Sequence, residues 1–195
     1  RRKIMNNSTE KIVKLVLAAM FAALGCVATM IIRIPTIGTS GYVNIGDTVV
    51  LLAAWVLGTF YVGDKKGKLV DENLFFAAAA AGLGPALADL LAGCTTYVPG
   101  TFVIKALMGV VAVLLFKTIA KANKHLAFAV SAVVAELVMV FGYFLYESTL
   151  LGYGMTAAAS IPSNGVQGIT CLVLGLVLVE VLNASNAFKS VLKVN

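Results

Sequence analysis

Charge is what this chain has least of. Of its 195 residues, 15 are Lys or Arg, nine are Asp or Glu and one is His. That makes 12% charged, where a soluble domain carries about a quarter. Apolar residues supply 60%, and the mean hydropathy is +0.96. A soluble core could not hide that much apolar surface, whereas a bilayer is itself an apolar solvent. Cysteines are few: Cys26, Cys94 and Cys171 lie far apart with no CxxC or Cys/His spacing, so neither a disulfide framework nor a metal site is expected. No Walker A motif is present; the nearest string, GTFYVGDK at 58–65, puts Asp64 where the lysine must stand. HExxH, GxSxG and paired-carboxylate motifs are missing too. The chain is therefore expected to be no enzyme and to hold no cofactor, and any ATP that drives it must be hydrolysed by another subunit.

What remains is an all-α integral membrane protein. Crossing ~30 Å of hydrocarbon takes about 20 apolar residues, and six segments qualify: 12–32, 45–62, 74–91 (with a possible continuation to 98), 102–119, 126–146 and 166–182. The connections 33–44 and 152–164 are rich in Gly, Pro, Thr and Ser, 64–73 is strongly charged, and 117–125 is basic. The basic start and first apolar run resemble a signal peptide, but the run continues too far for one, and cleavage is not expected. With the N-terminus placed in the cytoplasm, 13 of the 15 Lys and Arg residues fall on the inner side, leaving only Arg33 and Lys105 in the outer half. The positive-inside rule then favours six spans with both termini cytoplasmic. It also accounts for the net charge of +6 as a topology signal, so no nucleic-acid partner is expected. One membrane domain over 1–195 is expected, with the lipid bilayer as its solvent.

Ionisable groups inside spans are costly and demand a reason. Here they share one depth. Asp47 lies just inside the outer end of helix two, Asp89 in the outward part of helix three, Lys105 in the first outward turns of helix four, and Glu147 near the outer end of helix five. Glu136 alone lies near mid-membrane. On helix five, Glu136, Val140, Tyr143 and Glu147 follow i, i+4, i+7, i+11, one stripe of a 3.6-residue helix that would face a polar interior. Asn164 and Gln167 open helix six on one side with Cys171, and their amides suit a neutral heterocycle edged with hydroxyls and ring nitrogens. The pattern is an outward-facing polar pocket over an apolar base.

Each group has a structural alternative. Asp89 and Lys105 either neutralise each other or touch a ligand. Asp47 either caps helix two or serves the pocket, and Glu147 is either a pocket residue or a solvated loop residue. His125, among lysines, suits the inner interface. Trp55 and the tyrosines suit a lipid-facing aromatic belt, while Tyr97 and Tyr143 could instead stack on a ring. On helix one, Ala18, Ala19, Ala22 and Ala23 form two overlapping AxxxA spacings, which permit close helix approach, either within the chain or to a partner.

Four ordered motifs carry a resemblance: GYVNIGDTVVLLAAWVLG at 41–58, GPALADLLAGCTTYVPGTFVIKALMG at 84–109, AELVMVFGYFLYE at 135–147 and IPSNGVQGI at 161–169. Together they closely resemble the substrate-binding S components of energy-coupling factor (ECF) transporters, in the riboflavin-type superfamily, nearest the hydroxymethylpyrimidine or pyridoxine branch. The resemblance implies a six-helix, multi-pass protein of the bacterial cell membrane that binds a small vitamin near the outer surface. It implies docking to a transmembrane subunit, EcfT, with two ATPase subunits, and delivery by toppling in the membrane. The family's AxxxA motif on helix one (10–33) contacts EcfT and maps to Ala18/Ala22 or Ala19/Ala23, while the 34–44 loop acts as an outer lid. The expected substrate-binding set is Asn44, Asp47, Asp89, Tyr97, Lys105, Glu136, Tyr143, Glu147, Asn164 and Gln167. Cys94, Cys171 and the long charged 64–73 connection depart from the family pattern. There is no histidine motif of nickel or cobalt S components, and a single Trp fits the thiamine type poorly. The expected substrate is vitamin B6 or hydroxymethylpyrimidine, with riboflavin or another vitamin as the alternative. An autonomous carrier or an intramembrane enzyme using Glu136 and Glu147 are the readings from other classes.

Overall fold

A computed structural model describes residues 7–59 and 69–185. They form six α-helices: α1 (Asn7–Ile31), α2 (Gly46–Thr59), α3 (Glu72–Leu91), α4 (Val98–Ile119), α5 (Lys124–Leu145) and α6 (Ile161–Ser185). All but α2 are long and apolar enough to cross a membrane, as the sequence predicts. The chain is a multi-pass membrane protein. At 1.5 Å per residue, the 14 residues of α2 extend about 21 Å, less than a full hydrocarbon core. The end of the span expected over 45–62, the lysines Lys65, Lys66 and Lys68, and the basic residues Arg1, Arg2, Lys3, Lys189 and Lys193 lie outside the described residues.

Short α2 is the hub. It packs against α1, α3, α4 and α6, so Val50, Leu51, Ala53, Ala54, Val56 and Leu57 are all buried. A helix that is apolar all round is one covered on every side. This also corrects the expectation for Trp55, which is buried in that core and not on a lipid-facing belt. The peripheral helices show the opposite pattern: Ile12, Val16 and Met20 of α1, and Leu137, Phe141 and Leu145 of α5, are exposed, as lipid-facing side chains must be.

Local chemistry sets the helix ends. Asp71 caps α3, accepting from the backbone N–H groups of Asn73 and Leu74 at 3.1 Å. Asn123 caps α5 through Leu126 N–H at 3.0 Å. Helix α3 stops at Leu91 and does not continue to 98, because the chain turns through Gly93 with φ +79° before α4 starts with Pro99 in its first turn. Small residues allow α1 and α3 to touch: a side-chain carbon on Gly84 would lie 2.3 Å from the carbonyl oxygen of Ala22. Of the two AxxxA spacings, Ala18 and Ala22 therefore turn inward, whereas Ala19 and Ala23 are exposed.

The two ends of the bundle differ. At one end, Lys11 and Lys14 of α1 pair with Glu72 of α3 at 3.3 and 4.0 Å, Lys117 of α4 pairs with Asp71 at 2.8 Å, and His125 of α5 pairs with Glu180 of α6 at 2.6 Å. At the other end, residues 32–45 join α1 to α2 through a two-stranded hairpin, β1 (Ile34–Pro35) and β2 (Tyr42–Val43), paired Ile34 to Val43 and Pro35 to Tyr42. A π-helical turn (Tyr146–Leu150) and a 3-10 helix (Gly154–Ser160) join α5 to α6 beside it. The polar cleft lies under these connections.

Candidate substrate-binding site

One face of α4 organises the cleft. Tyr97, at its N-cap, then Thr101 and Lys105 recur every four residues, and each holds one carboxyl group from a different element. Tyr97 donates its phenol to Glu147 Oε1 at 3.0 Å, from the π-helical turn after α5. Thr101 donates to Asp89 Oδ2 at 2.5 Å, from α3. Lys105 pairs with Asp47, from the first turn of α2. Residues four apart on a helix lie above one another, so the three rungs form a ladder descending from the mouth of the cleft. Tyr143 of α5 braces it, 2.9 Å from Thr101 Oγ1 and with its ring centroid 5.2 Å from Lys105 Nζ, close enough for a cation–π contact.

The ladder settles two open pairings. Asp89 does not pair with Lys105 despite their matched depth; its oxygens accept from Thr101 and from Tyr42 at 2.5 Å. Asp47 does not use its side chain to cap α2. Its oxygens go to Lys105 and, at 2.5 Å, to Gln167 Nε2, while Asn44 Oδ1 accepts from Gly46 N–H at 2.8 Å to start the helix. Glu147 is not a solvated loop residue but is 2% exposed, and its second oxygen accepts from Ser160 at 2.6 Å.

The hairpin covers this ladder and is tied down on three sides. Tyr42 reaches Asp89, Ser40 Oγ and Tyr153 OH are 2.8 Å apart, and Asn44 N–H donates to Gln167 Oε1 at 2.7 Å. At its tip, Gly38 has φ +82°, and a side-chain carbon there would meet Ala159 Cβ at 2.8 Å. Only glycine combines that backbone with that contact. Burial raises the pKa of the Tyr42 phenol, with the Asp89 hydrogen bond adding to it, and burial does the same for Tyr97. Both therefore remain O–H donors at neutral pH.

Eight of the ten residues named from the sequence line the cleft: Asn44, Asp89, Tyr97, Lys105, Tyr143, Glu147, Asn164 and Gln167. The other two stand behind it. Asp47 is fully buried under Lys105, and Glu136 is buried against Gly168 with neither carboxyl oxygen hydrogen-bonded. Thr29, Thr36, Gly41, Tyr42, Pro85 and Thr101 also line the cleft and were not singled out. The one available signal was hydroxyl residues in apolar segments, as at Thr29 and Thr101; Tyr42 lay in a quoted motif without an assigned role. Among the described residues, no group of three or more His, Cys, Asp or Glu is placed to hold a metal ion.

A buried polar cleft under a tied-down hairpin has the form in which small-molecule sites commonly occur. The family model for the S component of ECF-type riboflavin transporters matches residues 9–69 and 74–184. The chain belongs to this family. A relative from Pyrococcus woesei, described as an uncharacterized protein, is 30% identical over 149 residues, covering 76% of this chain and 87% of the relative. As an ECF S component, the chain is the vitamin-specific subunit of a transporter. Membership implies a partnership with EcfT and ATPase subunits, and the transporter role is not an enzymatic one.

Proposed function

We propose that this S component captures vitamin B6 (pyridoxine, pyridoxamine or pyridoxal) or hydroxymethylpyrimidine at the outer face of a bacterial cell membrane and delivers it by toppling, together with EcfT and two ATPases that hydrolyse the ATP. In this reading the chain crosses the membrane six times with both termini cytoplasmic, so the hairpin end faces outward. The observation that carries the substrate reading is the α4 ladder. Its closely spaced hydroxyls, carboxyls and amides suit a single small ring bearing several polar substituents. Calorimetry of the purified protein against a vitamin panel tests it: tight binding of a B6 vitamer or the pyrimidine is expected, and no binding of any of them overturns the substrate assignment. Riboflavin is the second reading, favoured by the description of the matching family model, and its binding in the same panel would select it.

The docking face of α1 is Ala19 and Ala23, the exposed pair; Ala18 is buried, and the Ala22 backbone packs on Gly84 of α3. Small exposed residues four apart permit close approach of a second helix. Replacing Ala19 and Ala23 together with Leu is expected to abolish co-purification with EcfT while ligand affinity stays within about twofold of wild type. Co-purification of the double variant at the wild-type level would exclude this face.

A further inference from the structure

Several of the donors around the cleft are committed to its carboxyl groups, while the buried Thr29 hydroxyl has no partner. Tyr42 and Thr101 each donate to Asp89 at 2.5 Å. Because the single hydroxyl proton of Thr101 goes to Asp89, Tyr143 must be the donor in its 2.9 Å bond to Thr101. Tyr97 and Ser160 donate to the two oxygens of Glu147 at 3.0 and 2.6 Å, and Lys105 and Gln167 donate to Asp47. A carboxylate accepts at about four lone-pair positions, so Asp89 and Glu147 keep acceptor capacity on the cleft wall, and neither is paired with a cation. Deeper on the stripe that runs along α5 through Tyr143 and on to Glu147 in the π-helical turn, Glu136 is buried with both oxygens lacking a donor. Among the residues lining or underlying the cleft, Lys105 is the single buried cation against four carboxyl groups, and its charge is taken up by Asp47. The site carries more carboxyl groups than cations, with acceptor capacity to spare on Asp89 and Glu147.

We propose that the cleft selects a cationic guest, a small ring whose protonated nitrogen, in the ring or on an aminomethyl arm, donates to Asp89 and Glu147. In a largely buried site, such charge-assisted bonds are shorter and stronger than neutral ones, while an uncharged ring would leave the acceptor capacity of Asp89 and Glu147 without a charged donor. The inference rests on the cleft being the vitamin site and narrows it: pyridoxamine, with its aminomethyl group, is preferred to pyridoxine, which carries a hydroxymethyl group there, and uncharged riboflavin is disfavoured.

The test is calorimetry at neutral pH on the purified full chain with pyridoxamine, pyridoxine, riboflavin and thiamine, the last being permanently cationic. Pyridoxamine is expected to bind on the order of tenfold more tightly than pyridoxine. Asp89→Asn and Glu147→Gln, assayed separately, are each expected to reduce that ratio to about threefold or less. If one variant does not fold, the other still decides. Thiamine binding with no response to either B6 vitamer would uphold charge selection and overturn the B6 assignment. Riboflavin or pyridoxine binding as tightly as the cationic compounds, or a ratio unchanged in every variant that folds, would overturn charge selection and leave the vitamin site standing. No binding by any of the four, nor by pyridoxal or hydroxymethylpyrimidine, would overturn both.

Discussion

Lys105 and Asp47 meet where both are shut from solvent, with side chains 2% and 0% exposed, while at the opposite end of the bundle Lys11 and Glu72 pair with side chains 64% and 55% exposed. The chemistry is the same and the consequences are not. In the buried pair, each charge has given up its hydration, so each depends on the other and on the Gln167 amide that completes Asp47. In the exposed pair, water replaces either partner at little cost. Lys14 sits between these extremes. It is buried itself but bonded to Glu10 and Glu72, which are 27% and 55% exposed, so its charge is held at the boundary with solvent. One end of the molecule thus spends stability to hold charges in fixed positions around a cleft. The other uses charge as an ordinary surface does.

Three substitutions test that contrast. The largest effect is expected for Lys105→Met, which leaves the Asp47 carboxyl group in the interior without its cation; thermal unfolding in detergent should show a loss of about 3–5 kcal/mol, and ligand binding should disappear with it. A loss below about 1 kcal/mol would mean that water reaches the pair and would erase the distinction between the two ends. Thr101→Val, close in shape, removes the donor to Asp89 and the acceptor for Tyr143; a cost of about 1–3 kcal/mol and a weakened ligand affinity are expected from unfolding and calorimetry. Were affinity unchanged, the middle rung would be a packing element only. The smallest effect belongs to Lys11→Ala, for which a change within about 0.5 kcal/mol and wild-type affinity are expected; a larger loss would show that the exposed network is structural after all.

Much of the architecture was legible beforehand because the bilayer imposes a simple length rule. The spans expected at 12–32, 74–91 and 126–146 fall within a few residues of α1, α3 and α5 except at the start of α1. The i, i+4, i+7, i+11 stripe on α5 was legible for a similar reason: Glu136 and Glu147 are buried, while Leu137 and Phe141 on other faces are exposed. Less legible was α2, whose uniformly apolar sequence looks the same whether lipid or protein surrounds it, and so Trp55 was misplaced. Thr101 was missed because a lone threonine in an apolar helix commonly bonds its own backbone.

By itself, the sequence determined that this is a membrane protein, where the five described helices long and apolar enough to span would fall, and where each polar residue lies along its helix, since rise per residue is constant and apolar runs must match hydrocarbon. The partner each polar residue takes was decided only by tertiary structure. Lys105 pairs with Asp47 and not with Asp89, and Ala22 turns to Gly84 while Ala23 stays exposed, because partner choice depends on how each helix is rotated about its axis and on which neighbour packs there. Those quantities emerge from fitting six helices together, and no single helix carries them.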